Sequence, residues 1–187
     1  MYKVNLYGCE LTLAVTEGLF SPAHADRGTL AMLACVSFRP GLRVLDLGCG
    51  CGIVGICAAM RCGQENVVMC DVDPRAVEAA RENARLNGLE IAAYVSDGVK
   101  DVPLAGFDLI LSNPPYQSDF SVAKSFIEKG FNRLKPGGYL YMVTKRRAWY
   151  ENKLRAVFGG AHVYERDGYF VFEAERRTSE YAGKARK

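Results

Sequence analysis

The chain has 187 residues, 49% hydrophobic and 24% charged, a balance that suits one globular unit with a full core and excludes a disordered or fibrous chain. No apolar run nears the ~18 residues of a membrane span, and Met1-Tyr2-Lys3-Val4-Asn5 opens no signal-peptide core, so a cytoplasmic protein with no membrane contact is expected. The formal charge of +3 is unevenly placed: Arg176, Arg177, Lys184, Arg186 and Lys187 face only Glu180 at the C-terminal end, which leaves the remainder near −1.

Residues 3–7 and 10–15 flank Gly8-Cys9 and predict a small hairpin, and residues 26–38 predict a helix. From residue 42 onward apolar runs alternate with amphipathic stretches. Arg43-Val44-Leu45-Asp46-Leu47 reads as a buried parallel strand, residues 52–61 as a helix packed closely on a sheet, and residues 66–70 as a second strand. Asp73-Pro74 is an N-cap followed by a first-turn proline, and Asn87-Gly88 is a C-terminal stop, so a helix is expected between them with Ala76, Val77, Ala80, Ala84 and Leu86 inward. Strands are expected at 90–95, 107–111 and 139–143, and helices at 120–134 and 148–158, with Lys135-Pro136-Gly137-Gly138 as a turn. Arg166-Asp167-Gly168 between two final runs signals a hairpin.

Strand–helix alternation that ends in an antiparallel hairpin predicts an α/β fold, a Rossmann-like, mostly parallel doubly wound sheet of seven strands. The expected organisation is a single domain over 1–187: a short N-terminal hairpin and helix extension over 1–40, a core over 41–175 and a basic tail over 176–187, the last a solvated end or a phosphate-contacting arm. Five of the seven cysteines (Cys49, Cys51, Cys57, Cys62 and Cys70) fall in the first strand–loop–helix–strand unit. They read as reduced, buried, small residues. Cys49-Gly50-Cys51 lacks a second pair at a zinc spacing, so no metal is expected.

Asp46-Leu47-Gly48-Cys49-Gly50-Cys51-Gly52 leaves the first strand and opens a helix. Glycines belong where backbone turns sharply or a ligand comes close, and the carboxyl ends of the strands are where open α/β sheets bind ligands. The spacing is Gly-x-Gly-x-Gly, not the Gly-x-Gly-x-x-Gly of dinucleotide folds, and an acid stands directly before it. A carboxylate there would repel a pyrophosphate and attract a cation.

Asn113-Pro114-Pro115-Tyr116 leaves the carboxyl end of the fourth strand. Two prolines stiffen the segment and leave carbonyls free to accept. An amide or an aromatic exocyclic amine has its lone pair delocalised, so it is a poor nucleophile. The Asn113 side-chain oxygen and the Pro114 carbonyl suit the two N–H hydrogens of such a nitrogen, and Tyr116 suits stacking on a planar group. Pro115 keeps the run rigid.

The acid and glycine loop resembles the cofactor loop of class I S-adenosyl-L-methionine-dependent methyltransferases. That resemblance implies the strand order 3-2-1-4-5-7-6 with the last strand antiparallel, and S-adenosyl-L-methionine as cofactor, held by Asp46, Gly48, Cys49, Gly50 and Gly52, by Asp71 and Val72 at the end of the second strand (Asp71 on the ribose hydroxyls), by Asp97 and Gly98 beside the adenine, and by Asn113. Asn-Pro-Pro-Tyr is shared by enzymes acting on adenine N6, guanine N2 and the glutamine side-chain amide. Gly18-Leu19-Phe20-Ser21, Asp26-Arg27-Gly28-Thr29, the 126–138 run, Thr144-Lys145 and Gly168-Tyr169 resemble the small-domain (MTS) methyltransferases over roughly residues 11–177. That family includes RsmC-like enzymes acting on 16S ribosomal RNA at guanine N2. RsmC has Phe where Tyr116 stands, a histidine near the following loop and an extra N-terminal domain. The resemblance implies an rRNA methyltransferase whose partner is ribosomal RNA or the small-subunit particle. The alternatives are adenine N6 and the protein-glutamine (HemK-type) class, with a partner such as a release factor. A non-catalytic RNA- or protein-binding module is the reading from a different class, and the intact acid, loop and Asn113 speak against it. Phe20 is a candidate cover over cofactor or base, and Lys145, Arg146 and Arg147 are candidate phosphate contacts. The two histidines, His24 and His162, have no role assigned.

Overall fold

A computed structural model of the chain describes residues 1–6, 9–14, 26–115 and 120–183. In chain order its elements are β1 (Tyr2–Leu6), β2 (Cys9–Leu13), α1 (Arg27–Leu33), β3 (Val44–Leu47), α2 (Ile53–Cys62), β4 (Val67–Asp71), α3 (Pro74–Leu86), β5 (Ala92–Val95), β6 (Phe107–Ser112), α4 (Ser121–Arg133), β7 (Leu134–Thr144), α5 (Arg147–Phe158), β8 (His162–Arg166) and β9 (Tyr169–Glu175). Seven strands form one sheet in the order β5-β4-β3-β6-β7-β9-β8, which counted from β3 is the expected 3-2-1-4-5-7-6. β9 runs antiparallel to both β7 and β8. β3 is buried along its whole length, as a strand covered on both faces must be. Chain order reverses between β3 and β6, and a crevice opens at such a switch point.

The period-2 pleat sorts side chains into two cores. Leu109 and Leu111 of β6 join α1, α2 and α3 on one face. Ile110, between them, joins α4 and α5 on the other. Asp167 and Gly168 take φ of 51° and 77°, the left-handed pair that a type I′ hairpin requires, and they join β8 to β9 as expected.

Three local expectations are corrected. Leu86 is 41% exposed, because it lies two residues past the buried Ala84 and so about 200° around the helix. Lys135-Pro136-Gly137-Gly138 is no simple turn before a strand. β7 begins at Leu134, but Phe107 pairs with Leu134 and Leu109 with Tyr139, so the pairing slips around these residues. A Cβ on Gly138 would sit 2.8 Å from the Phe107 carbonyl oxygen, and this close approach needs glycine. The basic end is not a free arm as far as residue 183. The Arg176 guanidinium donates to the Leu134 carbonyl and lies over the Phe131 ring, while Arg177 pairs with Glu175 at 2.8 Å. Ala182 and Gly183 donate backbone N–H groups to the Val157 and Ala156 carbonyls of α5. Lys184, Arg186 and Lys187 lie outside the described residues. No helix among the described residues is long and apolar enough to cross a membrane.

The N-terminal hairpin is fastened by two asparagines of α3 and its cap. Asn87 accepts from the Thr12 N–H at 2.9 Å and donates to the Thr12 carbonyl at 2.8 Å, which imitates a strand neighbour. Asn83, fully buried, accepts from the Ala14 N–H at 2.8 Å and donates to the Cys51 carbonyl at 2.9 Å. Asn87→Ala leaves both Thr12 groups unpaired and is expected to cost about 1–3 kcal/mol. Denaturant titration reads this as a lowered midpoint at unchanged slope.

Candidate active site

The carboxyl ends of β3, β4, β5 and β6 surround a cavity of about 520 Å³, within the range of small-molecule sites. Of the candidate residues, Asp46, Gly48, Cys49, Gly50, Asp71, Val72, Asp97, Gly98, Asn113, Pro114 and Pro115 line it. Gly52 does not. It has a φ of 86°, and a Cβ there would lie 2.9 Å from the Ala80 Cβ, so its lack of a side chain lets α2 and α3 close on each other. Tyr116 and Phe20 lie outside the described residues. Lys145, Arg146 and Arg147, between the end of β7 and the first residue of α5, are exposed and away from the cavity lining. Each caps an aromatic ring: Tyr169 at 4.9 Å, Phe120 at 5.2 Å and Phe170 at 5.6 Å respectively.

The glycine loop is shaped by the strand beside it. The Gly48 and Cys49 N–H groups both donate to the Cys70 carbonyl at 2.9 Å. The Gly50 N–H donates to Asp71 Oδ2 at 2.9 Å, and the Asp73 N–H donates to Asp71 Oδ1 at 3.0 Å. The Asp71 carboxylate is thus held from both sides, and each oxygen keeps a lone pair for a ligand hydroxyl. Asp73 caps α3 by accepting from the Arg75 N–H at 2.9 Å. Burial pushes the thiols of Cys49, Cys51 and Cys70 upward, Cys70 to about 12. They therefore stay protonated and act as small packing residues.

Asp46 is 2% exposed, and its Oδ2 accepts from the Gly55 N–H of α2 at 2.8 Å. Burial pushes its carboxyl up to about 7; the Gly55 hydrogen bond opposes the shift and the charge of Asp71 adds to it. Asp46, Asp71 and Asp97 share the cavity wall with apolar groups such as Leu47, Ile53, Val54, Val122 and Phe126. This set suits a ligand with a cationic end, hydroxyls and a flat apolar portion, and it opposes a pyrophosphate.

Asn113 decides what the far end of the cavity can do. Its Nδ2 donates to Asp26 Oδ2 at 2.7 Å and to Thr29 Oγ1 at 3.0 Å. A carboxylate only accepts, so the amide is fixed with its NH2 toward α1. Its Oδ1 is buried and has no partner, alone in this among the described residues. Asp26 and Thr29 were missed as site residues in the sequence because the link spans 87 positions, although Asp26-x-Gly28-Thr29 stood out as a motif. Val122 and Phe126, one turn apart on α4, were missed as cavity walls. Their helical spacing was legible, but not the face they present.

The sequence profile of the methyltransferase small domain family matches residues 10–173. The chain belongs to the methyltransferase small domain family. Ribosomal RNA small subunit methyltransferase C of Pseudomonas syringae pv. tomato is 32% identical over 180 residues, which cover 94% of this chain and 54% of that protein. The protein of the same name from Hahella chejuensis is 34% identical over 171 residues, covering 89% and 50%. The chain thus spans about half the length of the curated relatives it matches. Among solved structures, the T. thermophilus 16S rRNA N2 methyltransferase RsmC, in complex with AdoMet and guanosine, superposes with a TM-score of 0.87 at 29% identity. That match covers 94% of this chain and 50% of that one. The cavity of this chain brings the acid, the glycine loop and the asparagine together at one switch point.

The raised Asp46 carboxyl gives a pH signature. A folded-state value of about 7, above the ordinary ~3.9, means that the folded protein keeps a proton which the unfolded chain has lost. The resulting stabilisation is full below ~4 and is lost as pH rises through about 7. In Asp46→Asn this slope is absent. Chemical denaturation at pH 5 and pH 7.5 is expected to show the wild type losing about 2 kcal/mol more than the variant.

Proposed function

We propose that the chain is an S-adenosylmethionine-dependent N-methyltransferase acting on the exocyclic N2 amine of a guanine in 16S ribosomal RNA. The observation that carries this reading is the buried, unpartnered Oδ1 of Asn113 in the cavity. A buried oxygen without a hydrogen bond costs about 1–3 kcal/mol, and that cost is recovered when an N–H is brought to it. The AdoMet and guanosine held by the T. thermophilus RsmC structure support the same pair of ligands here.

When bound, S-adenosylmethionine supplies an electrophilic methyl group on a sulfonium sulfur. Asp46 and the loop at Gly48, Cys49 and Gly50 would hold its methionine end, Asp71 its ribose hydroxyls, and Asp97, Gly98 and Phe126 its base. Asn113 Oδ1 accepts one hydrogen of the guanine amine and the Pro114 carbonyl the other. Both bonds strengthen as positive charge grows on nitrogen, so they lower the barrier and aim the lone pair. No strong base is needed, because the proton is acidic once the fourth bond has formed. Tyr116 stacks on the base, which must leave its own stack to reach the cavity. Lys145, Arg146 and Arg147, whose charged ends lie over aromatic rings, meet the phosphate backbone.

The deciding experiment offers small ribosomal subunits, naked 16S RNA and a release factor side by side with labelled methyl donor. Label is expected in the RNA as N2-methylguanosine; label in the release factor, or on adenine, would overturn the acceptor assignment. Asn113→Ala should lower turnover on the order of 100-fold while donor affinity stays within about twofold. In a second measurement, Arg146→Ala should weaken RNA binding and reduce the slope of log K against log salt by about 1.

A further inference from the structure

In the motif Asp26-x-Gly28-Thr29 two residues meet one target, Asn113, and the glycine leaves room for the carboxylate beside it. Asp26 precedes α1, and its Oδ2 accepts from the Thr29 N–H at 2.9 Å, the ordinary work of an N-cap. The same oxygen accepts from Asn113 Nδ2 at 2.7 Å. Thr29 Oγ1 takes the other Nδ2 hydrogen at 3.0 Å. A Cβ at Gly28 would lie 2.9 Å from both Asp26 Oδ2 and the Tyr169 ring. Only glycine lets the carboxylate and the ring come so near. A plain helix cap needs none of this: serine would serve, and the second residue after the cap would be unconstrained.

We propose that Asp26 is a positioning residue for the methyl-acceptor amine, acting through Asn113; this rests on the amine-methylation reading above. It does two things. With Thr29 it holds both amide hydrogens, so Asn113 cannot rotate and present NH2 to the acceptor nitrogen, which would repel its N–H groups. Its negative charge also polarises the amide it binds: electron density moves toward Oδ1, the atom that must stabilise a nitrogen turning positive. Asp26 lines the cavity beside α1, and its proposed role runs through Asn113. It makes Asn113 a one-sided acceptor before any ligand arrives, and the orphaned Oδ1 is the visible result.

The test compares wild type with Asp26→Ser, Asp26→Asn and Thr29→Val. Serine keeps the cap but is too short to reach Asn113; asparagine can keep both hydrogen bonds but loses the charge. Asp26→Ser is expected to hold its thermal midpoint within a few degrees and its donor affinity within about twofold. Its kcat should fall on the order of 100-fold with KM little changed, because a misplaced group costs about that much. Asp26→Asn should lose about tenfold and Thr29→Val a similar amount. Turnover of Asp26→Ser within threefold of wild type would overturn the proposal, as would donor affinity falling in step with turnover. A ligand-free readout separates this from the acceptor reading. The Asn113 side-chain NH2 should exchange slowly with water in wild type and fast in Asp26→Ser, by NMR. Equal protection in both sinks the positioning role whatever the substrate is. Conversely, wild type that methylates no offered acceptor, yet shows the NMR difference, sinks the acceptor reading and leaves the hold on Asn113 intact.

Discussion

A primary amide has two donors and one acceptor, and at Asn113 the fold occupies both donors and leaves the acceptor bare. Much else in the molecule follows from keeping that asymmetry. The residue must stand at the carboxyl end of β6, where the sheet opens. Two prolines after it must keep the chain from turning back to satisfy it. A helix must start close by, so that its cap can take the amide hydrogens. A stable protein tolerates few such unpaired buried atoms.

The other end of the cavity obeys a complementary rule. Asp46 sits on the α2 side of β3 where an apolar residue would pack, and among the described residues it accepts from one N–H of α2. A lone buried carboxyl holds its proton until something positive arrives. Asp71 is the opposite case: two backbone donors pin it and it remains an ordinary acceptor. Two acids 25 positions apart are thus tuned differently by their surroundings, one for charge and one for hydroxyls.

Much of this was legible in the sequence because the relevant signals are local. Strand ends announce themselves through glycines and prolines, so Asp46, Asp71, Asp97 and Asn113 could be placed at one edge of a sheet before any coordinates. The doubly wound sheet followed from alternation and the hairpin at Asp167-Gly168, while the strand order came with the family resemblance. What escaped was long-range side-chain pairing. Nothing near Asn87 says that its amide will act as a strand neighbour for Thr12, and nothing near Asp26 names Asn113. The pairing slip around residues 135–138 escaped for a related reason: proline and glycine mark a break in regular backbone, but not whether the strand resumes across it. Leu86 was misjudged more simply, by counting an apolar residue inward when its angle pointed out.

Asn83 ties residue 14 to residue 51 through one side chain. The segment made early in synthesis therefore has no seat until the helix carrying residue 83 has been made and docked. The carbonyl of the glycine loop likewise gains its partner only then. Hairpin attachment and loop maturation should be one late, cooperative event on the folding pathway, separated from initial collapse by the cost of closing a long chain segment. A chain halted before that event would have a sheet but no finished donor loop, so competence to bind would report completed folding.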